Sequence, residues 1–99
     1  VVIMNDYIYI KDLLINGSFP EGGAKLYDLA KPIMETGGTI KLNFDGVDAL
    51  PSLFMNVSFG KLIPEFGIRN VVQSLKFYDI SKVQLEHIRR YFKRFNEAN

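Results

Sequence analysis

Within residues 40–62 the hydrophobic pattern changes its period, and this change limits what the chain can become. Ile40, Leu42 and Phe44 alternate with Lys41 and Asn43, the two-residue repeat of a strand with one buried face and one partly polar face. Asp45-Gly46 then turns the chain. Ser52 or Pro51 opens a helix in which Leu53, Phe54, Val57, Phe59, Leu62 and Ile63 cover most of the circumference, and Pro64 and Gly67 close it. A helix apolar on so many sides is packed against more than one neighbour or carries a contact patch. A strand running through a short polar turn into such a helix is half of a βαβ unit.

The flanks supply the rest of an α/β pattern. Residues 1–4 are apolar, Asn5-Asp6 is a turn signal, and residues 7–10 alternate Tyr and Ile. These read as a hairpin of strands 1–4 and 7–10, with a single strand behind a loose leader as the rival. Ser18, Pro20 and Glu21 make a helix start with a capping box, while Gly22-Gly23 moves the expected first turn towards Ala24. Leu26, Leu29, Ala30, Ile33 and Met34 then fall on one helical stripe. Pro32 inside it predicts a kink or an altered last turn, and Gly37-Gly38 ends it. Residues 69–78, with Val71-Val72, Leu75 and Phe77, predict a third strand. Ser81 with Gln84 caps a last helix whose apolar stripe is Leu85, Ile88, Phe92 and Phe95. Alternating strands and helices predict one domain over residues 1–99 with a mostly parallel sheet.

Composition excludes several functions. There are no cysteines, so disulfides and thiol chemistry are absent, which fits a reducing, cytoplasmic setting. A single histidine leaves no zinc site of the usual His and Cys kind. The net charge of +1 does not advertise a polyanionic partner. Apolar runs are too short to span a bilayer, and the opening Val1-Val2-Ile3-Met4 does not read as a signal peptide. The start at Val1 fits a processed form or an excised piece.

Five constellations could carry chemistry. His87 beside Glu86 points away from it on a helix, and no motif supplies a nucleophile, so a helix-surface residue is the better reading. Gly22-Gly23 and Gly37-Gly38 lack the spacing of a phosphate loop. Asp45 and Asp48 could serve as a general acid and base in a cleft, but turn formation explains them with less. Lys82, Arg89, Arg90, Lys93 and Arg94 cover one face of the last helix, which reads as a solvated or protein-contact face ahead of a nucleic-acid surface. Ser52 sits at an expected helix N-terminus, where it could cap, or where an anion or an added phosphate would be favoured.

Asn43-Phe44-Asp45-Gly46-Val47-Asp48, then Ser52, then Phe59-Gly60-Lys61-Leu62 together resemble the signature region of STAS domains, the anti-sigma factor antagonist fold. They resemble most of all the STAS-like family of small bacterial domains of unestablished function. The match runs over residues 38–67. It implies a sheet of four to five strands with about three helices on one side, and no catalytic activity; no cofactor and no metal are expected. It also implies a signalling role by protein–protein contact in bacteria. Classical members bind a GHKL-type kinase or an anti-sigma factor around the turn and the following helix start. Phosphorylation of a serine there breaks the complex. Leu53 occupies the matching serine position, Ser52 lies one residue before it, and Asn43 stands where the family often has Asp.

The expected partner surface is therefore Asp45, Asp48, Pro51, Ser52, Leu53, Phe54 and Asn56, with Met55 beside them and Ser52 as the phosphorylatable group. The alternatives are a small anion or nucleotide held at the same helix N-terminus, nucleic-acid contact through the basic last helix, and a homodimer formed by exposed apolar residues.

Overall fold

The computed structural model describes residues 7–14 and 18–97, with side chains to residue 95. Its chain order is β1 (Tyr7–Tyr9), α1 (Ile10–Leu13), α2 (Phe19–Glu35), β2 (Ile40–Asn43), α3 (Ser52–Asn56), α4 (Phe59–Phe66), α5 (Ile68–Ser74), β3 (Leu75–Tyr78) and α6 (Lys82–Glu97). The strands form a parallel sheet in the order β1-β2-β3. Among the described residues there are thus three strands and six helical segments, where four to five strands and about three helices were expected. The expected first strand, residues 1–4, lies outside the described residues. Tyr7–Tyr9 pairs in parallel with β2.

The register fixes the layers. Ile40 pairs with Leu75 and Leu42 with both Ile8 and Phe77, so these five side chains share one face. Ile40 and Leu42 are fully buried there, and Phe44 continues the row with its ring edge-on to Phe77, centroids 5.8 Å apart. The helices supply the rest of the core: Leu26 and Ala30 from α2, Phe54 and Met55 from α3, Phe59 and Leu62 from α4, Val71 from α5, and Ile88 from α6. Each large side chain so enclosed contributes about 1.5–3 kcal/mol of transfer free energy.

α2 begins where its cap stands. Ser18 Oγ accepts from the Glu21 amide at 3.3 Å, and Pro20 lies in the first turn. The helix starts at Phe19 rather than near Ala24, and Gly22 and Gly23 inside it are close-packing positions: a Cβ on Gly23 would lie 2.5 Å from Phe54 O. The helix runs through Pro32 to Glu35, and Gly37, at φ +72°, ends it. Leu29 is 47% exposed and leaves the predicted core stripe, while Leu26, Ala30 and Met34 hold it.

Two expectations between residues 52 and 78 are corrected. The single helix expected after Pro51 is two, broken at Val57-Ser58. Ser58 is fully buried and its hydroxyl donates back to Phe54 O at 2.9 Å, satisfying itself locally where the helix stops. Pro64 is an interior residue of α4, and Gly67, at φ +89°, ends that helix. Residues 69–74 are helical, not extended, and only Leu75–Tyr78 forms the strand.

Candidate functional site

The carboxyl ends of the parallel strands gather the turn that the sequence singled out. Asn43, the last residue of β2, is 7% exposed and uses both ends of its amide. Its Oδ1 accepts from the Asp45 amide at 2.8 Å, which closes a turn of the Asx type. Its Nδ2 donates to Asp79 Oδ2 at 3.1 Å, which ties β2 to the residue after β3. Asp79 takes φ +53°, a left-handed conformation that Asp tolerates better than most residues. The Phe44 amide donates to Tyr78 O at 2.9 Å and extends the pairing by one step. Val47 N then donates to Phe44 O at 2.9 Å, with Gly46 at φ +78° between them.

Beyond the turn the chain is pinned at intervals. Leu50 is buried, Val47 is half-buried, and Asp48 and Ala49 are exposed. α6 arrives on the same segment: Ser81 Oγ accepts from the Gln84 amide at 3.1 Å, as its capping pattern predicts. Gln84, 3% exposed, aims its Nε2 at Val47 O, 3.5 Å away. Lys11 Nζ lies 3.6 Å from Asp45 Oδ2 in an exposed ion pair, a contact of small energetic weight.

The predicted surface residues separate into two groups. Asp45, Asp48, Ser52, Leu53 and Asn56 are exposed, and Pro51 is half-buried. Phe54 and Met55 are fully buried, because the α3 face they occupy packs on α2; they are core, not docking, residues. Pro51, not Ser52, is the N-cap of α3, with no side-chain bond to the first turn; Ser52 is the first helical residue. With five residues, α3 has little of the dipole on which an anion site would depend. Leu53 is 54% exposed. Asn56 Oδ1 accepts from the Tyr91 hydroxyl at 2.9 Å, which joins the end of α3 to α6.

Sequence reasoning did not foresee Lys11, Asp79, Gln84 and Tyr91 as supports of this region. Their partners are set by the meeting of α1, the end of β3 and α6 with β2, its turn and α3, which no local pattern encodes. The signal that was present is Asn43-Phe44-Asp45-Gly46, an Asx turn followed by a glycine. Of the other candidates, His87 is half-buried on α6, and Arg89, Arg90, Lys93 and Arg94 are exposed there. Among the described residues no group of three or more His, Asp or Glu side chains could hold a metal ion, and no helix is long and apolar enough to cross a membrane.

Compared with known proteins, the chain matches nothing among curated proteins and nothing among solved structures. A family model does match it, over residues 22–85, from the close-packed glycines of α2 to the first turn of α6. That span holds all of β2, the turn and the exposed patch, and on it the chain belongs to the family described as the STAS-like domain of unknown function (DUF4325).

Proposed function

We propose that this domain works without catalysis, by docking a protein partner on the surface formed by Asp45, Asp48, Pro51, Ser52, Leu53 and Asn56. The observation that supports this reading is Leu53. It stands 54% exposed on a helix whose neighbouring residues Phe54 and Met55 are fully buried. The patch around it is polar and the segment beneath it is pinned, which suits an interface with an apolar centre and a polar rim. The resemblance to anti-sigma factor antagonists supports the same surface, with a GHKL-type ATPase or an anti-sigma factor as the partner class and the bacterial cytoplasm as the setting. A phosphate on Ser52 would add nearly two negative charges four residues after Asp48, and so would oppose an acidic or apolar partner surface.

The test is a pull-down from the native host with wild type, Ser52→Asp and Leu53→Glu side by side, followed by titration of the captured partner with purified protein. Both substitutions are at exposed positions, so melting temperatures should stay within a few degrees of wild type. Weakened binding by both variants is the expected result. A partner bound equally by all three proteins would place the interface elsewhere.

A further inference from the structure

The sheet has a second face, and its composition is unlike that of a merely solvated surface. The register puts Tyr7, Lys41 and Lys76 in one cross-strand row, and Tyr9, Asn43 and Tyr78 in the next. Paired residues of a parallel sheet point to the same side, so these six oppose the Ile40 and Leu42 core face. None of the three tyrosines belongs to the core cluster. Tyr7 is 36% exposed, Lys76 is exposed, and Tyr9, Lys41 and Tyr78 are half-buried. The Tyr7 ring stands edge-on to Tyr78 across β2, centroids 4.7 Å apart at 87°, and lies 6.5 Å from the Tyr9 ring. Lys41 Nζ is 5.5 Å from the centre of the Tyr7 ring. The two rows contain no carboxylate. Of the described acids flanking β2 and β3, Asp79 accepts from Asn43, and Asp45 pairs with Lys11.

We infer that this face binds single-stranded nucleic acid, with the tyrosine rings as stacking surfaces for bases and Lys41 and Lys76 as phosphate contacts. Rings presented on a sheet stack on unpaired bases, whose π-faces a duplex hides, and neighbouring lysines neutralise the backbone. With outer strands roughly 10 Å apart and only three or four residues long, the platform has room for about two or three nucleotides. From the sequence, the charge balance and the lack of a basic patch beyond α6 argued against nucleic acid, with contact through α6 as the alternative. The register changes that argument, because it brings Lys41 beside Lys76, which lie far apart along the chain. The inference does not depend on the protein-docking surface proposed above.

The test is fluorescence anisotropy of the whole protein with labelled oligo-uridylate and oligo-thymidylate, with a blunt duplex and a poly-glutamate peptide as competitors. Binding of the single strands should fall with salt at about −0.7 in log–log slope per phosphate contact, giving a total near −1.4 for two lysines. Lys76→Glu is at an exposed position and should keep the fold; it should weaken binding and flatten the slope. Tyr7→Leu and Tyr78→Leu should each weaken binding by roughly fivefold to a hundredfold where circular dichroism shows the native melt. Absence of single-strand binding at low salt overturns the inference. So does preference for the duplex or the acidic peptide, and so does binding that survives Lys76→Glu but is lost in Arg90→Glu with Arg94→Glu on α6.

Discussion

The Tyr91 hydroxyl donates to Asn56 Oδ1 at 2.9 Å, and reaches it by passing over Gly60, where a Cβ would lie 2.7 Å from the Tyr91 hydroxyl oxygen. The bond fastens α6 to the end of the short helix that carries Leu53. Tyr91→Phe removes the donor and leaves an acceptor on an exposed residue, so the loss should be about 1 kcal/mol. For a domain of this size that lowers the melting temperature by about 4–8 °C. Gly60→Ala should cost at least as much, because the hydroxyl must move away. A thermal melt of the two variants and the pair checks this, and the pair should lose less than the sum, since both break one contact.

Gly23 offers a sharper contrast with ordinary helix chemistry. Alanine in place of an interior helical glycine usually stabilises by about 1 kcal/mol. Here the added Cβ would meet Phe54 O and the Val57 Cγ2, each at 2.5 Å, and one of these is backbone. Gly23→Ala should therefore destabilise, by about 1–3 kcal/mol in urea unfolding, with the slope unchanged. A neutral or stabilising result would show that α2 and α3 do not approach this closely.

Asn43 discriminates its two neighbours by having a different atom for each. An aspartate there would still accept from the Asp45 amide but would face Asp79 Oδ2 with a second carboxylate. Asn43→Asp should lose about 1–3 kcal/mol at neutral pH. The loss should shrink as the pH falls and one of the two carboxyls takes a proton, since like charges raise the affinity for it. Adding Asp79→Asn should restore most of the stability at neutral pH. Melts of the single and double variants at pH 7 and near pH 4 decide it.

The clasp between α2 and α4 predicts a pH profile. Glu65 accepts from the Tyr27 hydroxyl and lies 3.4 Å from Lys31 Nζ. The hydrogen bond from Tyr27, and then the Lys31 charge, hold the Glu65 carboxyl below its usual range against the effect of burial. The same hydrogen bond, then burial, pushes the Tyr27 phenol up, and the Glu65 charge pushes Lys31 up. A depressed carboxylate contributes stability above its unfolded pKa, about 4.3, and loses it as the pH falls through the folded value. The raised phenol and ammonium contribute below about 10 and lose it as the pH rises through their folded values. The difference in melting temperature between wild type and Glu65→Gln should thus be widest from about pH 5 to 9 and narrow on both sides. It should be small throughout, because the groups are solvent-exposed.

What was legible in the sequence is local. Ser18 with Glu21, Ser81 with Gln84, and the alternation at Ile40, Leu42 and Phe44 each encode their element in adjacent residues, and the structure carries all three. Val71 and Val72 misled because β-branched residues suit strands, yet Gly67 resets the chain and Val71 packs inward from a helix. The break at Ser58 depends on a buried hydroxyl finding Phe54 O, and the role of Gly23 depends on a neighbouring helix. The candidate site followed the same division. The exposed turn was readable, whereas the burial of Phe54 and Met55 was not, because an amphipathic helix of five residues does not declare which side its neighbours take.

The parallel order β1-β2-β3 has a kinetic consequence. Lys41 must find Tyr7 on one side and Lys76 on the other, and neither partner is reachable through a hairpin. Each pairing closes a long loop before any ladder bond rewards it, so both registers carry an entropic cost that a hairpin would avoid. β2 is the common member of both closures. Core truncations in it should slow folding only as far as both crossovers are already formed at the barrier, whereas truncations inside α2 report on local structure alone.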